Sequence, residues 1–488
     1  MLSGVFYTAI AKYSGIVISL GVTAVLARLL TPDDFGVVAI ATVIIAFFEL
    51  FTNIGISAAI IQFKELSPKE LTHIYSFTLW MGCTLALLFF LFSWGIASYY
   101  NNEILRTVCQ LLSVNLFLGA ASIVPNTLFY RDKRFKILAV RTLCIQILTG
   151  GTAILAAYWG AGLYTLTIQP LLSSLCIYLI SLRYYPMKPS LHFDIQIIRK
   201  IGSYSLFQFL FNIINYFTCN LDKLLIGKFM GMGILGYYEK SYRLMMLPVQ
   251  NITFVITPVL HPILSDYQGD VNVLRTGHEK MVHLLALLGF PLSIFLYFNA
   301  ADVISLLFGH QWAASIPAFR ILSLSVGFQM VLASSGAFYQ SGGDTRSMFF
   351  CAVFAACISG IGIGIGIFVF QTLEAVAWSI LCAFILSFIQ CYTLLYRKVF
   401  KHSLLTFYKQ FANPFFLSLL LFCLLYTVQG YCEDMPIIVS ICLKLLLTIV
   451  VVGSYLQTTR EYDWRSKLHI RNRIYLIMNR IKNIRHTK

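Results

Sequence analysis

Residues 4–62 read GVFYTAIAKYSGIVISLGVTAVLARL, then LTPDD, then FGVVAIATVIIAFFELFTNIGISAAIIQ, with the polar turn LTPDD at residues 30–34. Each flanking run is longer than the about 20 apolar residues that cross a bilayer as a helix. A cleavable signal peptide has a shorter apolar core and is not followed at once by a second span. The stretch therefore predicts two antiparallel helices of a polytopic membrane protein.

The rest of the chain repeats this pattern. Of its 488 residues, 58% are hydrophobic and 11% are charged, whereas a soluble domain is about half apolar and about a quarter charged. Apolar runs of spanning length occupy residues 4–29, 35–62, 74–100, 104–129, 138–159, 161–182, 201–227, 234–264, 279–299, 315–340, 347–370, 373–396, 411–430 and 436–457. The sequence predicts an all-α polytopic membrane protein with about 14 transmembrane helices, numbered below as spans 1 to 14.

The cations alternate between the two sides of these spans. Of the 36 Lys and Arg residues, 26 lie in every second gap or in the tail, and only Arg28, Arg106 and Lys228 lie in the other gaps. The basic segments are 63–73, 130–136, 183–200, 266–280, 341–347, 397–410 and the tail 458–488. By the positive-inside rule they face the cytoplasm, so both termini are predicted to be cytoplasmic.

This topology accounts for the net charge of +16 without a nucleic-acid partner. The tail carries nine Lys and Arg residues against Glu461 and Asp463. Such a segment beside a membrane attracts anionic lipid headgroups, so anionic membrane lipids are the predicted partners of the tail. A solvated tail that serves only as a topology signal is the open alternative.

An internal repeat divides the chain into two lobes. The segment ARLLTPDDFG (Ala27–Gly36) corresponds to GKFMGMGILG (Gly227–Gly236), and each places a cation eight residues before a glycine that opens the next span. Parallel repeats of this kind build transporters whose substrate site lies between the halves. The predicted regions are an N-lobe of six spans (1–185), a linker (186–200), a C-lobe of six spans (201–397), two appended spans (398–457) and the basic tail (458–488).

Seven cations lie inside the spans, and they outnumber the intramembrane acids. The cations are Lys12, Arg141, Lys223, Lys240, Arg243, Arg320 and Lys444, and the acids are Glu49, Asp222 and Glu239. An unpaired cation in hydrocarbon costs about 3 kcal/mol or more. The excess of cations predicts a hydrated cavity between the lobes that binds an anionic substrate. Snorkelling of the outermost cations and a structural ion-pair network between spans 7 and 8 remain open as local alternatives.

Polar residues also follow helical faces. Span 1 aligns Thr8, Lys12, Gly15, Ser19 and Thr23, span 2 aligns Thr42, Glu49, Asn53 and Ser57, and span 7 aligns Asn212, Asn215, Cys219 and Lys223. The predicted substrate-binding residues are Lys12, Lys223, Lys240, Arg243, Arg141, Arg320, Asn53, Asn212 and Asn215. The predicted ion-coupling residues are Glu49, Asp222 and Glu239, because intramembrane carboxylates mark ion pathways, although the same acids also balance nearby cations.

Catalysis is poorly supported by the motifs present. The chain has no GxxxxGK[ST] phosphate loop, no HExxH pair and no CxxC pair. No catalytic residue, metal site or cofactor is therefore predicted, and the protein is predicted not to be an enzyme. A membrane glycosyltransferase is the alternative from a different class, disfavoured because the largest gap on the side away from the basic segments, 300–314, is short.

Three segments resemble the Wzx-like polysaccharide exporters of the multidrug/oligosaccharidyl-lipid/polysaccharide flippase superfamily, in the branch of the O-antigen, colanic acid and teichuronic acid exporters. They are Ala27–Gly36, LFYRDKRFK (Leu128–Lys136) and DKLLIG (Asp222–Gly227), the last leading into LGYYEKSYRL (Leu235–Leu244). The resemblance implies two six-helix lobes that rock between inward-open and outward-open states, with spans 1, 2, 7 and 8 around the central cavity.

The same resemblance implies a substrate and a location. The substrate would be a polyprenyl-diphosphate-linked oligosaccharide, moved from the cytoplasmic to the periplasmic leaflet of the bacterial inner membrane for surface polysaccharide biosynthesis. Other polysaccharide assembly proteins are candidate partners. A lipid II flippase remains an alternative because it differs mainly in the glycan. A multidrug or cation antiporter is a weaker alternative, since its cavity should be dominated by acids.

Overall fold

The computed structural model describes residues 2–52, 55–63, 65–190, 206–265, 271–432 and 435–458. The N-lobe consists of α1 (Leu2–Leu29), α2 (Pro32–Thr52), α3 (Ile56–Gln62), α4 (Pro68–Tyr100), α5 (Glu103–Arg131), α6 (Phe135–Tyr158) and α7 (Thr165–Tyr184). The C-lobe consists of α8 (Leu206–Phe229), α9 (Met232–Ser265), α10 (Val271–Phe298), α11 (Ala300–Phe308), α12 (Ile316–Ser323), α13 (Val326–Ser341), α14 (Thr345–Ile365) and α15 (Leu373–Leu394). The appended region consists of α16 (Leu404–Lys409), α17 (Ala412–Cys432) and α18 (Ile437–Thr458). These residues include no strand, so the all-α class is confirmed.

Most of these helices are long and apolar enough to cross a membrane. Within the described ranges, 11 helical segments meet that condition, or 12 if the pair bent by 52° between Ser323 and Val326 forms one span. The chain is therefore a multi-pass membrane protein. Predicted spans 7 and 8 coincide with α8 and α9, which are 24 and 34 residues long and carry half of the ten charged residues predicted inside the spans. The count of 14 stays a prediction.

Three predicted boundaries differ from the structure. Span 2 is interrupted, because α2 ends at Thr52 and α3 begins only at Ile56. Gly55 precedes α3 with φ of 71°, a left-handed conformation that glycine adopts at little cost. Span 10 is divided into α12 and α13 by the 52° bend. The predicted gap 300–314 contains the apolar helix α11.

Each lobe is held together mainly by contacts between its own helices. In the N-lobe α4 packs on α5, α1 on α6 and α5 on α7; in the C-lobe α14 packs on α15, and α13 packs on both α9 and α10. Between the lobes, α2 packs against α9 and α8. The lobe boundaries themselves remain predictions, and residues 191–200 of the linker and 459–488 of the tail lie outside the described residues.

The appended helix α18 is attached by an ion pair. The Lys444 ammonium is fully buried and lies 3.0 Å from the Asp302 carboxylate of α11. Ser440, one turn earlier, donates a hydrogen bond to the same carboxylate at 2.8 Å. A buried ammonium requires such a counter-charge. Lys444 is thus a structural cation that lies away from the interface between the lobes.

The lobes meet on the side of the molecule opposite the basic segments. There the turn between α1 and α2 (residues 27–36) contacts the turn between α8 and α9 (residues 227–236), and we call this contact the seam. A Cβ atom at Gly36 would overlap the Met232 carbonyl, and one at Gly236 would overlap the Pro32 carbonyl. Since these pairs are related by the 200-residue offset of the repeat, equivalent backbone segments touch each other reciprocally, and both contacts require glycine.

Hydrogen bonds between the lobes flank the seam. The Arg28 guanidinium donates to the Leu306 carbonyl at 2.6 Å, and the repeat-equivalent Lys228 ammonium donates to the Tyr99 carbonyl. The Trp312 indole donates to the Ala27 carbonyl at 2.7 Å. Carbonyls at helix ends lack partners within their own helix, so these donors satisfy them while holding the lobes together. On this side the interface is closed.

Candidate functional site

A cavity of about 780 Å³ lies between the lobes below the seam. It reaches the side of the basic segments at Tyr130 and Phe135 and ends near Thr23, Lys240 and Phe308. Most of its wall comes from α1 and α6 of the N-lobe and from α8 and α9 of the C-lobe. We call it the main cavity. Together with the closed seam, it makes the interface accessible from one side of the membrane only.

A smaller space of about 360 Å³, the side compartment, adjoins the main cavity. Its wall comes from α1, α2, α7, α8 and α9. Both spaces are lined by Ser19, Thr23, Lys223, Glu239, Lys240 and Arg243. A group bound to this shared wall is therefore in contact with both spaces.

The predicted polar face of α1 is confirmed. All five residues of the stripe line the main cavity: Thr8, Lys12, Gly15, Ser19 and Thr23. Their spacing follows the helical repeat of about 3.6 residues, so they share one side of the helix. At Gly15 a Cβ atom would lie 2.7 Å from the Gln146 amide oxygen, so glycine allows α6 to approach α1 closely.

The charged residues of α8 and α9 form one ion pair across the two helices. The Lys223 ammonium lies 2.9 Å from the Glu239 carboxylate. A Glu239–Arg243 pair within α9, which the spacing allowed, is not formed. Arg243 is exposed to the cavity and makes no ion pair or hydrogen bond with any residue that the structure describes. Its guanidinium is therefore available to a ligand.

Lys240 is held in a different way. It is 3% exposed, and its ammonium lies 3.5 Å from the centroid of the Phe35 ring, with Phe308 and Trp312 at 5.5 and 5.8 Å. Ring faces attract cations, which offsets part of the cost of burying the charge. No carboxylate of the described ranges lies within 4.0 Å of this ammonium, so its positive charge is not neutralised.

The charge balance of the wall is strongly positive. The cations Lys12, Lys223, Lys240 and Arg243 line the main cavity together with one acid, Glu239. Four positive charges and one negative charge leave an excess of three among the described lining residues. Charges in a medium of low polarity persist only when water or a counter-ion solvates them. The structure thus brings four of the seven intramembrane cations to the wall of one cavity.

Two predicted cations lie elsewhere. Arg141 is 8% exposed and donates hydrogen bonds to Ser181 at 2.9 Å and to Asn126 at 2.7 Å, which ties α6 to α7 and α5. Arg320 is exposed on α12, with its guanidinium carbon 5.6 Å from the centre of the Tyr297 ring, and lines neither space. The excess of cations was a property of the whole set of spans, and helical spacing alone does not show which lobe face each side chain occupies.

The predicted asparagines do not line the two spaces. Asn215 is exposed and accepts a weak contact from the Cys219 thiol at 3.9 Å. Asn212 is partly buried and is not on either wall. Asn53 lies outside the described residues. Cys219, on the same predicted stripe, does line the main cavity, so α8 presents only the end of that stripe nearest the seam.

Among the three predicted coupling acids, only Glu239 lies on the cavity wall. Asp222 is buried and accepts hydrogen bonds from the Tyr238 hydroxyl and, at 2.8 Å, from the backbone N–H of Lys223. These bonds fix Asp222 inside the C-lobe. Glu49 is exposed on α2, beyond the lining residue Ala46, and lines neither space.

The sequence reasoning missed the polar contributions of α6 and α7. Thr142 and Gln146 of α6 line the main cavity, and Gln169 of α7 lines the side compartment. A signal was available, since polar side chains four residues apart in an apolar helix share a face. The aromatic residues around Lys240 gave no signal, because they are ordinary apolar residues in the sequence.

Comparison with known proteins gives relatives over most of the chain. The profile of a family described as "Polysaccharide biosynthesis protein" matches residues 25–317. The teichuronic acid biosynthesis protein TuaB of Bacillus subtilis (strain 168) is 24% identical over 422 residues, which are 86% of each chain. The lipopolysaccharide biosynthesis protein WzxC of Escherichia coli (strain K12) is 28% identical over 327 residues, which are 66% of each chain. The succinoglycan biosynthesis transport protein ExoT of Rhizobium meliloti (strain 1021) is 23% identical over 362 residues, or 72% of each chain.

Solved structures share the fold. The lipid II flippase MurJ in an inward closed conformation superposes with a TM-score of 0.73 at 14% identity, covering 94% of this chain and all of that one. An inward-facing multidrug MATE transporter superposes with a TM-score of 0.58 at 15% identity, covering 81% of this chain and 98% of that one. Identities this low establish the architecture alone. With the family profile matching residues 25–317, the chain belongs to the polysaccharide biosynthesis protein family.

Proposed function

We propose that this protein is a flippase that moves a polyprenyl-diphosphate-linked oligosaccharide across the bacterial inner membrane for surface polysaccharide biosynthesis. The observation that carries the proposal is the main cavity, whose described lining has an excess of three positive charges and which is closed at the seam. A diphosphate is the part of such a substrate that hydrocarbon excludes most strongly. Named relatives that act in teichuronic acid, lipopolysaccharide and succinoglycan biosynthesis support the same substrate class.

Arg243 is the proposed first contact of the diphosphate. Its guanidinium has no partner among the described residues, and a guanidinium forms two parallel hydrogen bonds with a phosphate group. Lys223 lies on the same wall, 2.9 Å from Glu239. A bound diphosphate competes with Glu239 for the Lys223 ammonium. Lys12 and Lys240, the latter enclosed by aromatic rings, attract the diphosphate at longer range, because the protein interior screens charge weakly.

Transport then requires that the lobes exchange their closed and open ends. The polar headgroup occupies the main cavity while the polyprenyl chain stays in the bilayer. Opening of the seam and closure of the opposite end release the headgroup to the other leaflet. Binding drives this change only if the substrate binds the two arrangements with different affinity. No bond of the substrate is made or broken, so the protein acts as a transporter and not as an enzyme, and it uses no cofactor.

The proposed orientation places the basic segments in the cytoplasm. The positive-inside rule then puts both termini in the cytoplasm and the seam at the periplasmic face. Loading therefore occurs from the cytoplasmic leaflet. We further propose that the basic tail contacts anionic lipids and that other polysaccharide assembly proteins are partners.

Glu239 is the proposed site of ion coupling. It is the only one of the three candidate acids that lines the main cavity among the residues described. When a diphosphate draws Lys223 away, the Glu239 carboxylate loses its counter-charge. Its affinity for a proton or a sodium ion then rises. Asp222 and Glu49 lack this position and are not proposed as coupling residues.

The charge of the cavity argues against one alternative substrate, a cationic drug, but not against the other, lipid II. A cationic drug would meet four cations and one acid on the described wall, so an antiporter for such compounds is disfavoured. Lipid II carries the same diphosphate as the proposed substrate and differs in the attached glycan and peptide. It remains the alternative that the experiment must separate.

The decisive experiment uses a strain that lacks the gene. We expect a polyprenyl-diphosphate-linked surface-polysaccharide repeat unit to accumulate, identified by mass spectrometry of the lipid extract; accumulation of lipid II would favour the alternative.

In the same strain, the variant Arg243→Gln should fail to restore surface polysaccharide, because the diphosphate loses a charge-assisted bond worth about 1.5–3 kcal/mol. Arg320→Gln is the matched control, since Arg320 lines neither space, and it should restore display. Full display with Arg243→Gln at equal protein level would contradict the proposal.

A further inference from the structure

We propose that the side compartment is a binding subsite for an uncharged, hydroxyl-rich group, the sugar nearest the diphosphate of the transported lipid. The inference depends on the proposed function, because it assigns the diphosphate to the shared wall. It adds a second recognition element, in which neutral hydrogen bonds rather than charge select the ligand.

Polar side chains from four helices converge on the compartment. Ser19 and Thr23 come from α1, Thr42 from α2, Gln169 from α7 and Asn220 from α8. Hydroxyl and amide groups both donate and accept hydrogen bonds, as sugar hydroxyls do. Neutral polar groups from separate helices that face one space match a ligand that carries many hydroxyls and no charge.

Four of these five side chains form no hydrogen bond elsewhere in the described fold, and the fifth keeps a free acceptor. Ser19, Thr23, Thr42 and Gln169 form no hydrogen bond through their side chains with any residue in the described ranges. Asn220 donates through its amide nitrogen to the Tyr216 carbonyl at 2.9 Å, and its amide oxygen is left to accept. The wall thus presents unused donors and acceptors.

Several hydroxyls elsewhere in the membrane helices behave differently. Thr127 donates to the Ile123 carbonyl at 2.6 Å, Ser122 to Leu118 at 2.7 Å and Ser293 to Gly289 at 3.0 Å, each within its own helix. Such bonds are the usual solution for a hydroxyl in an apolar environment, because an unpaired polar group there is costly. The free hydroxyls of the compartment are explained by contact with water or with a polar ligand.

The position of the compartment fits a group attached to the diphosphate. Lys223 and Arg243 belong to the wall shared by both spaces. A diphosphate held there has its attached sugar directly beside the compartment, while the main cavity remains open toward Tyr130 for the rest of the glycan. The volume of about 360 Å³ lies within the range of about 300–1,000 Å³ that is common for small-molecule sites.

The test compares two probes with the purified full-length protein by native mass spectrometry. One probe is a bare polyprenyl diphosphate, and the other carries a single hexose on the diphosphate. Thr42→Val and Gln169→Leu should each weaken binding of the glycosylated probe about fivefold, the effect of one lost hydrogen bond, and leave the bare diphosphate unchanged. Thr42→Ser, which keeps the hydroxyl, should bind both probes like the unmodified protein.

A matched control lies on α6. Thr152 donates to its own helix at the Thr149 carbonyl, 3.0 Å away, and lines neither space, so Thr152→Val should bind both probes normally. The subsite would be overturned if Thr42→Val and Gln169→Leu weakened binding of both probes equally or of neither probe. The same loss of binding in Thr152→Val would also overturn it. Failure of the unmodified protein to bind the bare diphosphate, or unchanged binding in Arg243→Gln, would overturn the proposed function instead.

Discussion

The seam and the main cavity are two ends of one interface. The cations at the seam have acceptors within the protein, whereas two cations at the cavity have none among the residues that the structure describes. At the seam, Arg28 and Lys228 each reach across and donate to a backbone carbonyl of the other lobe. At the cavity, Arg243 has no partner among the described residues and Lys240 has only aromatic rings. A count of cations therefore does not define a binding site. What distinguishes the two ends is whether the fold itself supplies the acceptor.

This difference has a thermodynamic consequence. The seam is complete without a ligand, because its glycines allow backbone contact and its donors are satisfied. The cavity is incomplete, since its described wall carries four cations against one acid and Arg243 has no partner among the described residues. Binding of an anionic ligand at the cavity is therefore more favourable than binding of water. A substrate can shift the lobe arrangement only if its affinity differs between the two arrangements. The predictions below alter one end at a time.

The largest effect is expected from Gly36→Val, which fills the space that the Met232 carbonyl occupies. Overpacking costs about 1–3 kcal/mol, so the closed seam should lose up to about 100-fold in population and surface polysaccharide display should fall. The readout is labelling of Thr23→Cys in a cysteine-free background, with an impermeant maleimide added to right-side-out vesicles. Thr23 lies below the seam, so the reagent reaches it only when the seam opens.

Gly21→Val is the control for this change. A Cβ atom at Gly21 meets no atom within 4 Å, and the residue lies on the same helix as the seam turn. Its labelling and display should match those of the unmodified protein. Slow labelling together with normal display in Gly36→Val would show that the reciprocal glycine contact does not hold the lobes closed.

The next effect is expected at the cavity. Glu239→Gln removes its one described acid, which raises the charge excess from three to four and releases Lys223 from its 2.9 Å ion pair. Binding of a bare polyprenyl diphosphate should strengthen about tenfold, because charges in a weakly screening interior interact by one kcal/mol or more at these distances. The measurement is the dissociation constant in detergent at fixed ionic strength.

An acid outside the cavity serves as the comparison. Glu279 pairs with Arg275 at 3.2 Å within α10, and neither residue lines the two spaces. Glu279→Gln removes the same charge without changing the cavity wall, so the affinity should stay constant. If Glu239→Gln binds the diphosphate no more tightly than Glu279→Gln does, the cavity wall does not bind anions through its net charge.

The same comparison shows what the sequence was able to predict. Helical periodicity placed the four polar residues and the glycine of the α1 stripe on one face, and the repeat identified two glycines at the seam and the two cations that flank it. Both features depend on spacing along one chain segment. The α1 stripe was readable because a helix converts a fixed spacing into a fixed face. The seam residues were readable because the same pattern occurs twice in the chain, 200 residues apart.

Features that depend on distant partners were not predictable in this way. Arg141 is engaged by Ser181 and Asn126, which are 40 and 15 residues away, and Lys240 is enclosed by rings from α2 and α11. The break before α3 depends on the left-handed backbone of Gly55, a residue that also occurs inside regular membrane helices. For Arg141 and Lys240, tertiary packing and not local pattern decided the outcome.

The smallest effect is expected from the donors that flank the seam. Arg28→Gln and Lys228→Gln each remove one charge-assisted bond to a carbonyl, worth about 1 kcal/mol at a partly exposed site, so labelling of Thr23→Cys should rise about fivefold in either variant. The two contacts lie in different places, so their effects should multiply in the double variant. Arg106, the third cation on this side, pairs with Glu103 of its own helix at 3.9 Å and lies 5.0 Å from the centroid of the Trp94 ring of α4, so its recorded contacts stay within the N-lobe. Arg106→Gln should therefore leave labelling unchanged, and an equal rise in this variant would assign the effect to the charge of the membrane face and not to the seam.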